Sequence, residues 1–254
     1  MEKFYGYWLP VNVSTHGGEV DRILTVLHWF MGALFVGWGI YFVYCLVRFR
    51  QGANPKASYE LIKGRVSKYV EAGVVVVEAI LLVGLSMPLW AHFKHDFPPE
   101  SKALVLRVVA EQFAWNIHYA GKDAKFGRTR PEFVTNVNLL GLDPDDPDGQ
   151  DDLNSVNQMH VPVNTPVIVH LTSKDVVHSF KIPVMRLTQD AIPGTTSRIW
   201  FQATRTGQFD LACAQLCGLG HYRMRGTVSV DTPEQFNEWL QEEYAEAEED
   251  ESAF

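Results

Sequence analysis

The chain has 254 residues, of which 46% are hydrophobic and 20% charged, and its formal net charge is −8 at neutral pH. These values exclude a polytopic transporter, a coiled coil and a disordered chain. The negative charge argues against nucleic acid as a partner. Three cysteines are too few for a disulfide scaffold, so they point first to metal or redox chemistry.

Strong apolarity is confined to two segments before residue 91. Residues 23–47 contain one ionisable side chain, His28, and residues 70–90 are rich in Val, Leu and Ile. Each segment is long enough to span a bilayer. We therefore predict a two-helix transmembrane hairpin over residues 22–95, preceded by an external segment over residues 1–21.

The connecting loop, residues 48–69, is strongly basic. It carries one acidic residue, Glu60, against six basic ones: Arg48, Arg50, Lys56, Lys63, Arg65 and Lys68. The positive-inside rule predicts that this loop is cytoplasmic, which leaves both termini outside. The first twenty residues lack the basic region and short apolar core of a signal peptide, so a cleaved signal is not expected.

Two carboxylates mark the second apolar segment. Glu71 lies at its cytoplasmic end, and Glu78 follows two helical turns later on the same face. A carboxylate at the depth of Glu78 is costly unless it faces protein or water, which favours a functional role. The structural alternative is that Glu71 snorkels at a helix N-terminus and Glu78 bonds to a neighbour. Either way, the polar stripe favours a larger membrane partner.

From Lys102 onward the pattern changes to short runs rich in Val, Ile, Thr and aromatic residues, with Gly and Pro between them. The runs are residues 104–119, 166–172, 176–182, 197–203, 208–212 and 227–230. They predict an external all-β domain, a sandwich or barrel, over residues 96–231. An Asp-, Pro- and Gly-rich insertion, residues 143–152, is expected to be solvated, and its spacing fails the calcium-loop pattern.

The chain closes with a helix signal and an acidic tail, together residues 232–254. Thr232 and Gln235 form a capping box, so a helix should run through Trp239 and Leu240. The acidic residues that follow are typical of a solvated, disordered tail.

The motif richest in metal-binding side chains lies near the C-terminus. Two thiolates, an imidazole and a thioether occur within twelve residues, as Cys213, Cys217, His221 and Met224. Soft sulfur with imidazole favours copper, and a thioether is a poor zinc ligand. Two alternatives stay open: a Cys213–Cys217 disulfide, or ordinary loop and core roles for His221 and Met224.

A single blue-copper site would leave one cysteine surplus. Two bridging thiolates would hold two coppers, and such a pair would need a second imidazole from a neighbouring strand. His178 is the best candidate. His160 and His170 also lie on strand-like segments, but His170 alternates with valines expected to be buried. A copper pair of this kind would transfer electrons and would not make bonds.

These features resemble cytochrome c oxidase subunit II over nearly the whole chain. Besides the hairpin, the matches are residues 112–115 (Gln-Phe-Ala-Trp), 175–179, 190–194 and the C-x3-C-x3-H-x2-M run, with His178 35 residues before Cys213. The resemblance implies a transmembrane α-hairpin and a cupredoxin-like Greek-key β-domain with a short C-terminal helix. We expect a bacterial-type inner membrane, with both termini and a dinuclear copper A centre on the periplasmic side.

The resemblance also implies residue roles. It gives six copper ligands: bridging Cys213 and Cys217, capping His178 and His221, axial Met224 and the backbone carbonyl of Gln215. Asp175 falls where the family has an acidic residue that docks cytochrome c, and the acidic chain suits a basic donor. Glu71 lies 17 residues before Pro88, which matches the family carboxylate at the mouth of the K proton pathway.

Three positions depart from the family pattern. Gln215 stands where relatives carry a Glu that binds a magnesium or manganese ion shared with subunit I, and an amide is a weaker, neutral ligand. Phe113 replaces the first Trp of the electron-entry segment, which leaves Phe113 and Trp115 as the electron-entry candidates. Glu78 replaces a residue that is often proline or apolar, and its proton-path role has no family counterpart.

The sequence therefore predicts the electron-entry subunit of a haem–copper terminal oxidase. A c-type cytochrome would reduce the copper pair, and the electron would pass to haem in subunit I, where oxygen is reduced to water with proton uptake and translocation. Subunit III is a further expected partner, and the absence of a C-x-x-C-H motif makes the donor a separate protein or subunit. The alternatives are a membrane-anchored copper chaperone, which would normally show a βαβ pattern, and a copper-free quinol oxidase subunit, which the intact ligand set disfavours.

Overall fold

The computed structural model describes residues 5–6, 9–57, 59–60 and 64–252, with side chains from residue 9 to residue 247. Lys63 of the basic loop therefore lies outside the described residues, as do the last acidic side chains of the tail. The chain divides into two compact units. One comprises residues 1–18 and 93–254, and the other comprises residues 19–92.

The apolar unit is helical. Helix α1 spans Gly17–Arg48, and α2 spans Val66–Ala79 and continues through a π-helical stretch, Ile80–Ser86, into α3, Met87–His95. Within the described residues, two helical stretches are long and apolar enough to cross a membrane: Gly17–Arg48 and Val66–His95. No part of their apolar windows is buried by the rest of the described chain, so these surfaces suit lipid or partner helices.

Both intramembrane carboxylate candidates lie on α2. Glu71 and Glu78 are exposed, and their seven-residue spacing in a regular helix puts them on one face. Glu78 lies two residues before the π-helical stretch. The helix thus carries a polar stripe that the described part of this chain does not cover.

The other unit is built mainly from strands. Short strands β1 (Tyr5–Gly6) and β2 (Leu9–Pro10) pair with each other. The remaining strands are β3 (Leu104–Glu111), β4 (Ala114–Tyr119), β5 (Leu153–Val156), β6 (Gln158–Pro162), β7 (Pro166–Ser173), β8 (His178–Ile182), β9 (Leu187–Ala191), β10 (Ser197–Gln202), β11 (Gly207–Cys213) and β12 (Arg225–Asp231).

These strands form two five-stranded sheets. The first has the order β10-β7-β3-β4-β5 and the second the order β6-β12-β11-β8-β9. Neighbouring strands are antiparallel except for the β3–β7 and β6–β12 pairs. The predicted all-β sandwich is confirmed.

Buried and partly buried side chains alternate along β3, and the buried ones belong to the core between the two sheets. In β3, Leu106, Val108 and Ala110 are fully buried, whereas Arg107 and Val109, which alternate with them, are only partly buried. This period of two is typical of a strand with one face on a core. Other strands add large buried side chains to this core: Trp115, Ile117, Phe180, Phe201 and Leu211.

The strand boundaries differ from the sequence prediction in two ways. The run over residues 104–119 is two strands, β3 and β4, joined by a turn at Gln112 and Phe113. Strands β5 and β9 were not predicted, and β6 was noted only as a strand-like segment at His160. These strands are short and mix polar with apolar residues, as in the Leu-Thr-Gln-Asp-Ala of β9. They are held by pairing with longer strands, which a local pattern does not reveal.

The segment before α1 belongs to the β-domain. Val13 N–H donates to Val184 O (2.9 Å), and Thr204 N–H donates to Val13 O (2.8 Å). Ser14 pairs with Ala203 at the end of β10. The Val13 side chain lies in the core, so this segment closes the sandwich.

The acidic insertion is less solvated than predicted. Asp143 is buried beside Arg128 and Arg130, with carboxylate–guanidinium distances of 3.2 and 3.6 Å. The carboxylate of Asp152 is fully buried, 2.6 Å from His118 Nε2. Burial of these charges is tolerated because each has a partner.

The C-terminal helix α4 spans Pro233–Ser252. Its capping box forms as predicted: Gln235 N–H donates to Thr232 Oγ1, and Thr232 N–H donates to Gln235 Oε1. The prediction of a disordered acidic tail is wrong for most of its length, because the backbone stays helical to Ser252. Glu and Ala have high helix propensity, and the cap fixes the first turn.

Candidate metal centre

Three strands of the second sheet carry the ligand candidates at one end. His178 is the first residue of β8, Cys213 is the last of β11, and Met224 immediately precedes β12. Cys213 N–H donates to Met224 O (3.1 Å), and Ala214 N–H donates to Ser179 O (2.9 Å). Because β8, β11 and β12 are neighbours, residues distant in sequence meet here.

The sulfur and imidazole atoms lie at short mutual distances. The Sγ atoms of Cys213 and Cys217 are 3.8 Å apart. Cys217 Sγ is 3.6 Å from His221 Nδ1 and 3.7 Å from Met224 Sδ. Donor atoms that bind one transition-metal ion at about 2.0–2.3 Å lie about 3–4 Å from one another, so this spacing suits a shared metal.

His178 completes the cluster from β8. Its Nδ1 lies 3.1 Å from Met224 Sδ and 3.9 Å from Cys213 Sγ. In the part of the chain that the structure describes, one group of three or more His, Cys, Asp or Glu residues could hold a metal, and it comprises His178, Cys213 and Cys217. Each thiol thus has its own imidazole, His178 beside Cys213 and His221 beside Cys217.

Both thiols are free. Their separation of 3.8 Å far exceeds the length of a disulfide bond, about 2.05 Å. Burial raises the pKa of the Cys217 thiol to about 11, and the neighbouring Cys213 adds to the rise. A metal that binds here must therefore displace a proton that the thiol holds firmly.

Asp175 contacts His178 directly. Its Oδ1 lies 2.9 Å from His178 Nε2, the ring nitrogen opposite the one that faces the sulfurs. Burial opposes ionisation of Asp175, but hydrogen bonds from His178, Gln112 N–H and Val176 N–H outweigh it and lower the pKa of the carboxyl. A carboxylate in this position fixes the tautomer and orientation of a histidine ligand.

Gln112 links this carboxylate to the cysteine loop. Its backbone N–H donates to Asp175 Oδ2 (2.7 Å), and its side-chain Nε2 donates to Cys217 O (2.7 Å). The sequence interpretation gave Gln112 no role. These contacts join residues 63 and 105 positions apart, which no local spacing could reveal.

The two electron-entry candidates occupy different environments. Phe113 is half-buried over the cysteine loop, where a Cβ on Gly220 would lie 2.3 Å from its Cδ2 and one on Gly218 would lie 3.2 Å from its Cζ. Trp115 is fully buried, with its ring edge-on to His178 at a centroid distance of 6.2 Å. Phe113 is therefore the nearer of the two to solvent.

The residues present fit a copper pair. Two thiols could bridge two ions, and an imidazole stands beside each thiol. Met224 Sδ and the backbone carbonyl of Gln215, 3.1 Å from Cys213 Sγ, supply weaker donors. The side chain of Gln215 is exposed, and its role toward magnesium stays a prediction.

The other histidines considered from sequence lie elsewhere. His160 Nδ1 is 2.7 Å from Asp231 Oδ2, and its ring stacks on Trp239 at 4.1 Å. His170 lies on β7 in the first sheet, beside Arg107 and Arg198. Neither belongs to the cluster.

Comparison with known proteins identifies the family. The family model described as cytochrome c oxidase subunit II, periplasmic domain, matches residues 104–230. The alternative cytochrome c oxidase subunit 2 of Bradyrhizobium diazoefficiens is 32% identical over 239 residues, which cover 93% of this chain and 84% of that protein. This chain belongs to the cytochrome c oxidase subunit II family.

Two further proteins are similar to this subunit II chain. Cytochrome c oxidase subunit 2 of Cereibacter sphaeroides is 27% identical, over 88% of this chain and 78% of that protein. The crystal structure of the periplasmic domain of subunit II of cytochrome oxidase from Bradyrhizobium japonicum is 29% identical, covers 56% of this chain and 94% of that domain, and has a TM-score of 0.42.

Family membership fixes the general role of the chain. It is a subunit of a haem–copper oxidase, an oxidoreductase, and it assembles with other oxidase subunits. Its two apolar helices and its family fit a two-pass protein of an inner membrane.

Proposed function

We propose that this chain is the electron-entry subunit of its oxidase. It accepts electrons from a c-type cytochrome at a dinuclear copper centre and delivers them to haem in subunit I, where oxygen is reduced to water. The observation that carries the proposal is the pairing of each free thiol with its own imidazole, Cys213 with His178 and Cys217 with His221.

Six residues would hold the metal: Cys213 and Cys217 as bridges, His178 and His221 as caps, Met224 as an axial ligand and Gln215 through its carbonyl. A thiolate-bridged copper pair supplies a site that gains and loses one electron without bond rearrangement. The protein contributes a fixed frame. Cys217 and Met224 are almost fully buried, which keeps water from the sulfurs.

Electron entry from the donor would use the exposed surface beside this frame. Phe113 lies over the cysteine loop, and Leu216, Leu219 and Tyr222 of the ligand segment are strongly exposed. An apolar patch of this kind favours a transient contact with a protein partner. The chain's net charge of −8 would attract a basic cytochrome.

The membrane hairpin would serve proton movement and assembly. Glu71 and Glu78 share one exposed face of α2, which we assign to contact with subunit I and to a proton path within the complex. Subunit III is a further proposed neighbour. The basic loop between the helices would lie in the cytoplasm, and the β-domain with both termini on the periplasmic side.

Copper content and electron paramagnetic resonance of the purified full-length chain test the copper proposal. After reduction of the thiols and loading with copper, we expect two copper ions per chain and a seven-line spectrum from one electron shared by both. Cys217→Ser should abolish that spectrum. Cys45→Ser, which changes the membrane cysteine, is the matched control and should leave the spectrum unchanged.

A single blue-copper signal, or a chain that takes up no copper after reduction, would contradict the proposal. The same measurement separates the alternatives. A chaperone would release its copper to a soluble chelator within the mixing time, and a copper-free quinol oxidase subunit would take up none.

A further inference from the structure

A cavity of about 490 Å³ lies between one face of the first sheet and the loop over residues 126–146. Its walls include Arg107, Arg128, Thr129, Asp146, His170 and Thr172. None of these residues belongs to the metal cluster or to the surface proposed for the electron donor. Pockets of this size are typical of small-molecule sites.

Strand register brings two arginine and two histidine side chains into a row along this face. Arg198 pairs with His170 across β10 and β7, His170 pairs with Arg107 across β7 and β3, and Arg107 pairs with His118 across β3 and β4. Directly opposed side chains on one face of a sheet lie about 5 Å apart. Two guanidinium groups therefore flank the imidazole of His170.

The charge of this row is only partly neutralised. His118 contacts Asp152, and Arg128 contacts Asp146 at 3.8 Å and Asp143 at 3.2 Å. Among the described residues, Arg107 and Arg198 make no salt bridge, although the carboxylate of Asp152 attracts Arg107.

Arg107 and Arg198 contact neutral groups instead. Arg107 donates to Gly127 O (3.2 Å) and lies 4.3 Å from the ring centroid of Phe126, and Arg198 lies 4.8 Å from that of Phe97. An aromatic ring holds a guanidinium in place but does not neutralise it.

The surroundings of His170 agree with an excess of positive charge. Burial lowers the pKa of His170, and the charge of Arg198 lowers it further. Glu100 opposes this shift, and Arg107 adds a smaller lowering. Of the carboxylates near the cavity, Asp146 and Asp152 already have partners. The cavity thus offers Arg107 and His170 to a ligand from outside the chain.

We propose that this cavity binds a phosphate-type oxyanion between Arg107 and His170, with the hydroxyls of Thr129 and Thr172 at its wall. A guanidinium presents parallel N–H donors that match two phosphate oxygens. The cavity volume exceeds that of a bare phosphate ion, which favours a phosphate ester.

The ester could be a soluble metabolite or a phospholipid headgroup. Arg198 contacts Phe97, which follows the end of α3 at His95 by two residues, a span of at most about 7 Å. The Arg198 end of this row of side chains is therefore close, along the chain, to the predicted membrane surface. The phosphate chemistry is the same for both sources.

Calorimetric titration of the purified full-length chain with inorganic phosphate, in a zwitterionic detergent, tests the site. We expect saturable binding that weakens at least about tenfold in Arg107→Gln, since a charge-assisted contact contributes about 1.5–3 kcal/mol. Arg205→Gln removes the same charge from an exposed turn and should leave phosphate affinity unchanged.

A second variant distinguishes loss of phosphate binding from loss of the fold. His170→Glu places a carboxylate between two guanidinium groups, so the fold should hold while phosphate binding is lost. Equal phosphate affinity in the wild type, Arg107→Gln and His170→Glu would overturn the proposal.

Repeating the titration in phosphatidylcholine nanodiscs with and without phosphatidylglycerol distinguishes the two sources. If a lipid headgroup occupies the site, phosphatidylglycerol lowers the apparent phosphate affinity of the wild type. If the ligand is soluble, that affinity does not change with lipid composition.

Discussion

Asp175 has two possible roles at the scale of single residues. The family resemblance predicts a docking carboxylate, whereas the geometry makes it the hydrogen-bond partner of His178 Nε2 at 2.9 Å. A carboxylate that receives three hydrogen bonds is constrained and not free to follow a partner protein. We therefore infer that Asp175 positions the ligand.

Asp175→Asn tests this role. The amide can still accept a hydrogen bond but loses the charge that supports the imidazole, so copper affinity should fall about 10–100-fold. Competition with a chelator of known copper affinity measures the loss. Asp210→Asn, an exposed carboxylate on the strand that carries Cys213, is the matched control. If Asp175→Asn instead weakens only the cytochrome interaction, measured as a higher KM, the docking role is correct.

The sequence predicted the candidate ligands better than the residues that hold those ligands in place. The C-x3-C-x3-H-x2-M run starts at the last residue of β11 and ends just before β12, so its spacing alone predicts a soft-metal site. His178 had to come from only one other strand. Gln112 and the packing of Phe113 on Gly220 depend on how two sheets meet. Such contacts have no local signature, and only the folded chain reveals them.

At the scale of elements, the segment over residues 11–16 shows what periodicity misses. It has too few residues for a pattern of its own, and its partners, Val184 and Ala203, lie far along the chain. Long strands such as β7 were predicted because they are rich in Val, Ile and Thr and lie between turn residues. Short elements held by tertiary pairing were not.

Val13→Asp measures the contribution of this segment. Val13 is only 2% exposed, so an unpaired carboxylate there should lower the free energy of unfolding of the β-domain by about 3 kcal/mol or more. Urea denaturation followed by tryptophan fluorescence reports the change. Leu9→Asp alters a residue of β2 that is 42% exposed, and it should cost less than about 1 kcal/mol. Equal effects of the two substitutions would show that the segment does not close the sandwich.

At the scale of the whole molecule, the average composition conceals two surfaces, one suited to lipid and one suited to water. The helical unit exposes Trp29, Phe35 and Trp38, whereas the β-domain packs large apolar side chains into a buried core. The sequence predicted this division because apolar runs of membrane-spanning length do not occur in a β-domain. We propose that another oxidase subunit covers Glu71 and Glu78, which the described part of this chain leaves exposed.

Glu71→Gln tests the proton path in the assembled oxidase. Loss of the carboxylate should slow oxygen consumption by roughly tenfold or more, since an amide cannot relay a proton, while reduction of copper by the donor keeps its rate. Stopped-flow absorbance and an oxygen electrode separate the two steps. Glu60→Gln, in the connecting loop, is the control. Unchanged oxygen consumption in Glu71→Gln would return Glu71 to a structural role at the helix end.

The pairing of Ser14 with Ala203 has a consequence for biosynthesis. The ribosome makes the first partner before both membrane helices and the second long after them. At about 5–20 residues per second, the roughly 190 intervening residues take about 10–40 s to translate. During that time the early segment remains unpaired, because its partner has not yet been made. Both partners must lie on the same side of the membrane. The chain between them must therefore cross the membrane an even number of times before the β-domain can be completed.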